Sequence, residues 1–162
     1  MYSVIFGKHI QLKSMSCAHG HCRPRPIPKA INLFVKVTDY CNARCAFCSN
    51  GGSHKDIAEF NHVKLWEVVD ELRNKGIIIN RINVTGGEPS IFPETVNQIL
   101  EIASSDQYHN IHLHLNTNGL FPASQVMMRH TRWNSISMSL HHYDRNKLSD
   151  IWCFYLGKSI GV

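Results

Sequence analysis

Leu65-Trp66-Glu67-Val68-Val69-Asp70-Glu71-Leu72-Arg73-Asn74-Lys75-Gly76-Ile77-Ile78-Ile79-Asn80-Arg81-Ile82-Asn83-Val84-Thr85 reads as a helix, a turn and a strand in that order. Leu65, Val68, Val69 and Leu72 recur at i, i+3, i+4 and i+7, which lines one helix face. Asn61 is placed to cap the start of that helix. Arg73 and Lys75 suit the negative end of its dipole, and Gly76 suits a left-handed residue just past its end. Ile77 to Val84 then forms a β-branched run that predicts a strand ending near Thr85. Gly86-Gly87-Glu88-Pro89 stops it.

The same unit recurs on both sides. Upstream, Ile31-Asn32-Leu33-Phe34-Val35-Lys36-Val37 predicts a first strand dense enough in apolar residues for a parallel sheet. Residues 49–61, with Gly51-Gly52, read as loop. Downstream, Pro93 suits the first turn of a second helix, whose stripe is Val96, Ile99, Leu100 and Ala103. Ile111-His112-Leu113-His114-Leu115-Asn116 alternates as a third strand and ends in Thr117-Asn118-Gly119. A short helix is expected near Ala123 to Arg129. A fourth strand follows at Ser135 to Leu140, left by His141-His142-Tyr143-Asp144. Strands alternating with helices imply parallel pairing, right-handed crossovers and helices packed outside. The expected fold class is α/β: a partial (β/α) barrel of about four parallel units. Functional loops of such folds gather at the C-terminal ends of the strands.

The chain has 162 residues, 43% hydrophobic and 18% charged, an ordinary balance for one domain. No apolar run approaches the roughly 20 residues of a membrane span. Nor does Met1-Tyr2-Ser3-Val4-Ile5-Phe6 read as a signal peptide. A cytoplasmic location is expected, where cysteines serve metals or reactions more often than disulfides. The net charge is +5, but Lys and Arg are scattered, so the composition points to a solvated surface and not to a nucleic-acid interface.

Residues 1–30 form an N-terminal extension with a weak hairpin pattern and a connector containing Pro24, Pro26 and Pro28. Cys17-Ala18-His19-Gly20-His21-Cys22 crowds four candidate ligands into six positions, with no second knuckle to complete a usual zinc site. Residues 31–152 hold the core pattern. Residues 153–162, Cys153 to Val162, are an apolar tail that fits no further unit, which suggests an early end or a shifted reading frame near Trp152.

Three of the six cysteines stand in Cys41-Asn42-Ala43-Arg44-Cys45-Ala46-Phe47-Cys48, directly after the first strand. Thiolates are soft ligands suited to zinc or iron–sulfur centres. A structural zinc site needs a fourth ligand, for which Cys17, Cys22, His54 and Cys153 are candidates. An iron–sulfur electron carrier would also recruit a fourth cysteine. A four-iron cluster on three cysteines instead leaves one iron open to a substrate or cofactor.

The Cys41-x3-Cys45-x2-Cys48 spacing, with Phe47 before the last cysteine, resembles the signature of the radical S-adenosylmethionine (radical SAM) enzymes. Gly86-Gly87-Glu88-Pro89 occurs at the end of the second strand, where that family carries its Gly-Gly-Glu motif. The resemblance implies that Cys41, Cys45 and Cys48 hold a 4Fe-4S cluster whose fourth iron is chelated by S-adenosylmethionine. It implies Phe47 beside the adenine and Gly86, Gly87 and Glu88 at the methionine amino group. Asn118 and Ser139 would face the ribose or carboxylate. A one-electron reductant such as flavodoxin or ferredoxin would supply the electron. Reductive cleavage would give a 5′-deoxyadenosyl radical that takes hydrogen from an unknown substrate. The family core has six strand–helix units where four are legible here. Ser139-Leu140-His141 places histidine where the family often has an acid. His112 and His114 share one face of the third strand and are expected inside the barrel as inner-layer residues.

Overall fold

The computed structural model describes residues 29–43, 45, 48 and 60–139. Within them the elements run β1 (Ala30–Lys36), α1 (His62–Asn74), β2 (Ile78–Thr85), a 3₁₀ turn (Pro89–Ile91), α2 (Pro93–Ala103), β3 (His112–Thr117), α3 (Pro122–Met128) and β4 (Ser135–Met138). The four strands form one sheet in the order β1-β2-β3-β4, every neighbouring pair parallel. This is an α/β architecture consistent with a partial (β/α) barrel.

Local chemistry accounts for the element ends. Asn61 caps α1, its Oδ1 accepting from Lys64 N at 3.0 Å. Gly76 has φ +75°, the left-handed conformation that a helix C-terminus asks of glycine. Pro93 opens α2 and Pro122 opens α3, where a missing N–H costs nothing.

Strand register sorts side chains into two faces. Val35, Val84 and Leu115 lie in one cross-strand row, and Leu33, Ile82 and Leu113 in another. All six are buried, as are Leu65, Val68, Val69 and Leu72 of α1 and Val96, Ile99, Leu100 and Ala103 of α2. Both predicted stripes therefore form the core with that sheet face. Burial of each such Val, Leu or Ile side chain contributes about 1.5–3 kcal/mol.

The other face is polar. Asn32, Arg81 and His112 share one row, and Phe34, Asn83, His114 and Ser135 the next. Ile111, Leu113 and Leu115 are buried, which leaves His112 and His114 on the opposite, polar face. Asn83 is buried there and donates to Leu33 O at 3.1 Å. On β4, Ile136 and Met138 are exposed.

Tyr108 ties α1 to the turn before β3. It stacks on Trp66 with ring centroids 4.3 Å apart and donates to Asp70 Oδ2 at 2.8 Å. Burial and the Asp70 carboxylate push its hydroxyl pKa up to about 12.

Candidate cofactor site at the strand ends

The C-terminal ends of β1, β2 and β3 meet through backbone. Past the end of β1, Val37 N donates to Thr85 O at 2.9 Å. Past the end of β2, Gly87 N donates to Thr38 O at 2.6 Å and Glu88 N to Tyr40 O at 2.8 Å. The lead-in to the cysteine segment thus lies along Gly86-Gly87-Glu88 and continues the β1–β2 pairing.

Such close approach explains both glycines. Gly86 has φ +141°, and a Cβ there would collide with Thr38 O. A Cβ on Gly87 would overlap Tyr40 O and C and come within 2.8 Å of Asp39 O. The obstacles are backbone atoms, which cannot swing aside.

Glu88 is the most consequential polar residue at these ends. It is 1% exposed. Its Oε1 accepts from Ser90 N at 3.1 Å, Ser90 Oγ at 2.5 Å and Thr117 Oγ1 at 2.6 Å. Its Oε2 accepts from Asn118 N at 2.7 Å. One carboxylate therefore joins the turn after β2 to the end of β3. Thr117 Oγ1 in turn accepts from Gly119 N at 3.0 Å. Ser90, Thr117 and Thr38 are site residues that sequence reading missed. For Ser90 the available signal was a hydroxyl two residues after the motif acid; Thr38 and Thr117 meet this turn only through the sheet.

Asn118 reaches back to the cysteine segment. Its Nδ2 donates to Asn42 Oδ1 at 2.8 Å and lies 3.8 Å from Cys41 Sγ. Cys41 Sγ also receives Ala43 N at 3.4 Å. Cys41, Cys45 and Cys48 are free and half-buried. Burial pushes the Cys41 thiol up, helped by Glu88, Cys45 and Cys48 and opposed by the Ala43 N–H. Burial and then Cys48 push Cys45 up. Neighbouring thiols thus disfavour ionisation of Cys41 and Cys45, a conflict that a bound cationic centre would reverse. Among the described residues no three His, Cys, Asp or Glu side chains are gathered tightly enough for a single ion. A four-iron cluster is wider than one ion and needs no such convergence. The donor set fits it.

Ser139 follows β4 on the same rim, its N–H donating to Thr117 O at 2.9 Å, and it is exposed. The structure thus brings Cys41, Cys45, Cys48, Gly86, Gly87, Glu88, Asn118 and Ser139 to one end of the sheet. Phe47, Cys17, Cys22, His54, His141 and Cys153 lie outside the described residues.

Below the rim, His112 Nε2 and His114 Nδ1 each lie 2.7 Å from Ser135 Oγ. Burial holds the His112 pKa below its ordinary 6.5, with Arg81, His114 and Arg132 adding repulsion. On acidification the unfolded chain therefore takes up this proton first. The stability involved is present above about pH 6.5 and is lost as pH falls through the folded value. Lowering the pH from about 7.5 to about 5.5 should reduce the thermal midpoint more in the wild type than in His112→Gln. Equal losses would remove His112 as a cause.

Parallel β/α units with three cysteines after the first strand and a glycine-rich turn after the second gather these residues on one strand-end rim. The family model of the radical SAM superfamily matches residues 35–155, and the chain belongs to that superfamily. It is similar to a GTP 3′,8-cyclase of Desulforamulus reducens, 31% identical over 123 residues, covering 74% of this chain and 37% of the relative. A GTP 3′,8-cyclase of Petrotoga mobilis is 30% identical over 115 residues, covering 67% and 33%. One from Moorella thermoacetica is 34% identical over 95 residues, covering 55% and 27%. The chain thus spans about a third of the length of these curated relatives. Among the described residues no helix is long and apolar enough to cross a membrane.

Proposed function

We propose that residues 31–152 bind a 4Fe-4S cluster and S-adenosylmethionine for radical chemistry, with residues 1–30 as an extension. The observation that carries this reading is the convergence of Cys41, Gly86-Gly87-Glu88 and Asn118 through direct hydrogen bonds at one sheet end. Cys41, Cys45 and Cys48 would hold the cluster. When bound, cluster and cofactor supply reductive cleavage to a 5′-deoxyadenosyl radical, which abstracts hydrogen from a substrate.

The chain's residues bind and orient. The Gly86-Gly87 backbone takes the methionine end of the cofactor. Glu88, whose carboxylate has four donors around it, holds that backbone against β3. By family resemblance Phe47 would serve the adenine, and Asn118 and Ser139 would serve the ribose and carboxylate. A low-potential donor of the flavodoxin or ferredoxin kind would reduce the cluster, which suits a cytoplasmic setting. Similarity to GTP 3′,8-cyclases makes GTP the first substrate to assay.

Anaerobic reconstitution tests the reading. The protein should bind about four irons and show an electron paramagnetic resonance signal that changes when S-adenosylmethionine joins the reduced cluster. Cys41→Ala, Cys45→Ala or Cys48→Ala should abolish it. A colourless zinc protein, or a cluster indifferent to S-adenosylmethionine, would sink the proposal.

A further inference from the structure

We propose that Asn118 is a positioning residue for Cys41, donating its side-chain N–H to the cysteine sulfur and so raising the reduction potential of the centre that Cys41 ligates. This rests on the reading of Cys41, Cys45 and Cys48 as cluster ligands and deepens it by naming a device that regulates the cluster.

Asn118 stands 77 residues after Cys41, at the end of a different strand. Its amide has two N–H donors and one oxygen. The oxygen accepts from Leu120 N at 2.9 Å, which fixes which end of the amide is nitrogen. One N–H goes to Asn42 Oδ1 at 2.8 Å. The other has Cys41 Sγ at 3.8 Å, within reach of a sulfur acceptor. The backbone N–H of Asn118 is held by Glu88 Oε2 at 2.7 Å, so the side chain starts from a fixed point. With Ala43 N at 3.4 Å, Cys41 Sγ receives one local donor and one donor from across the sheet.

Charge decides what this does. Reduction adds an electron to the cluster, and part of that charge falls on the cysteine sulfurs. An N–H aimed at such a sulfur stabilises the reduced state more than the oxidised one, and hydrogen bonds to cluster sulfurs are a recognised control of potential. Asn118 carries no titratable proton, so its donor is present at every working pH.

Two variants of the full chain separate this role from a purely structural one. Asn118→Leu removes the donors at similar size. Asn118→Asp keeps an acceptor for Leu120 N and puts oxygen where the N–H was. After reconstitution, a potentiometric titration followed by electron paramagnetic resonance should show both midpoints moved to more negative potential. For the leucine variant the reduced-to-oxidised ratio at a fixed potential should fall roughly fivefold. The iron–cysteine stretching frequency should rise in both, because the sulfur no longer shares charge with the donor. If Asn118→Leu fails to hold a cluster, Asn118→Asp carries the same two measurements. Wild-type potential and stretching frequency in the variants that load would overturn the proposal. Failure of the wild type to assemble a four-iron cluster would instead overturn the ligand reading, and this inference with it.

Discussion

Gly87→Ala should cost the protein its cluster. Nothing in the Gly87 backbone forbids alanine, since its φ is not among the positive values. The penalty is steric. The added methyl would lie inside the contact distance of Tyr40 O and C, and relief requires the Thr38–Tyr40 segment to move. Moving it strains two hydrogen bonds, Gly87 N to Thr38 O and Glu88 N to Tyr40 O. Overpacking of this kind costs about 1–3 kcal/mol and each hydrogen bond about 1 kcal/mol, so we expect about 3–5 kcal/mol in total. Cys41 follows Tyr40 directly, so the displacement reaches the thiol. Gly76→Ala is the matched control. Its Cβ would meet nothing within 4 Å, and only φ +75° opposes it. That should cost about 1 kcal/mol and leave the site alone. Iron and sulfide per chain after reconstitution, read beside thermal midpoints, check the contrast. Full cluster loading by Gly87→Ala would refute the backbone-contact account of this glycine.

How much of this could be read from residues alone differs between fold and site. The alternation of strand and helix was legible because its signals are local. Val96, Ile99, Leu100 and Ala103 repeat at helical spacing and all prove fully buried, and Asn61 and Gly76 cap α1 as their types predict. Motif position was legible for the same reason: once the strands were placed, Gly86-Gly87-Glu88 and Asn118 fell at their ends. Orientation was not. Thr38 and Tyr40 press on the two glycines from the segment that follows β1, a contact that no spacing along the chain reports. Glu88 looks like a loop acid beside a proline, yet its carboxylate points to Thr117 and Asn118, some 30 residues on. Asn118 looks like an ordinary turn asparagine until the sheet brings Asn42 and Cys41 to its amide. Each of these depends on register between strands, and register follows from burial of a whole sheet face and not from any single motif.

Glu88→Gln should destabilise the protein before any cofactor is present. The substitution keeps size and shape, so its effect isolates the exchange of a carboxylate oxygen for an amide N–H₂. Both carboxylate oxygens are acceptors only, and both are in use. With the amide nitrogen at the Oε2 position, it faces the Asn118 N–H, donor against donor. With the nitrogen at the Oε1 position, it faces Ser90 N, Ser90 Oγ and Thr117 Oγ1. The hydroxyls can turn, but Ser90 N cannot. Either way a buried N–H loses its acceptor, which costs about 1–3 kcal/mol, and the charge that strengthened the remaining bonds is gone as well. We expect about 2–4 kcal/mol in all, a fall of roughly 10 °C in thermal midpoint for a chain of this size. Glu88→Ala, which strands all four donors, should cost more. The comparison separates two roles for this acid. A carboxylate whose work is to meet the methionine amino group directly would leave the unloaded protein as stable as wild type in Glu88→Gln and weaken only S-adenosylmethionine binding. A carboxylate that ties the turn after β2 to β3 lowers stability in the unloaded protein. It also loosens Asn118 and, through Asn118, the setting of Cys41. Thermal unfolding of unloaded wild type and Glu88→Gln, followed by cofactor titration of the reconstituted pair, distinguishes them: an unchanged midpoint with weakened cofactor binding would reject the tether.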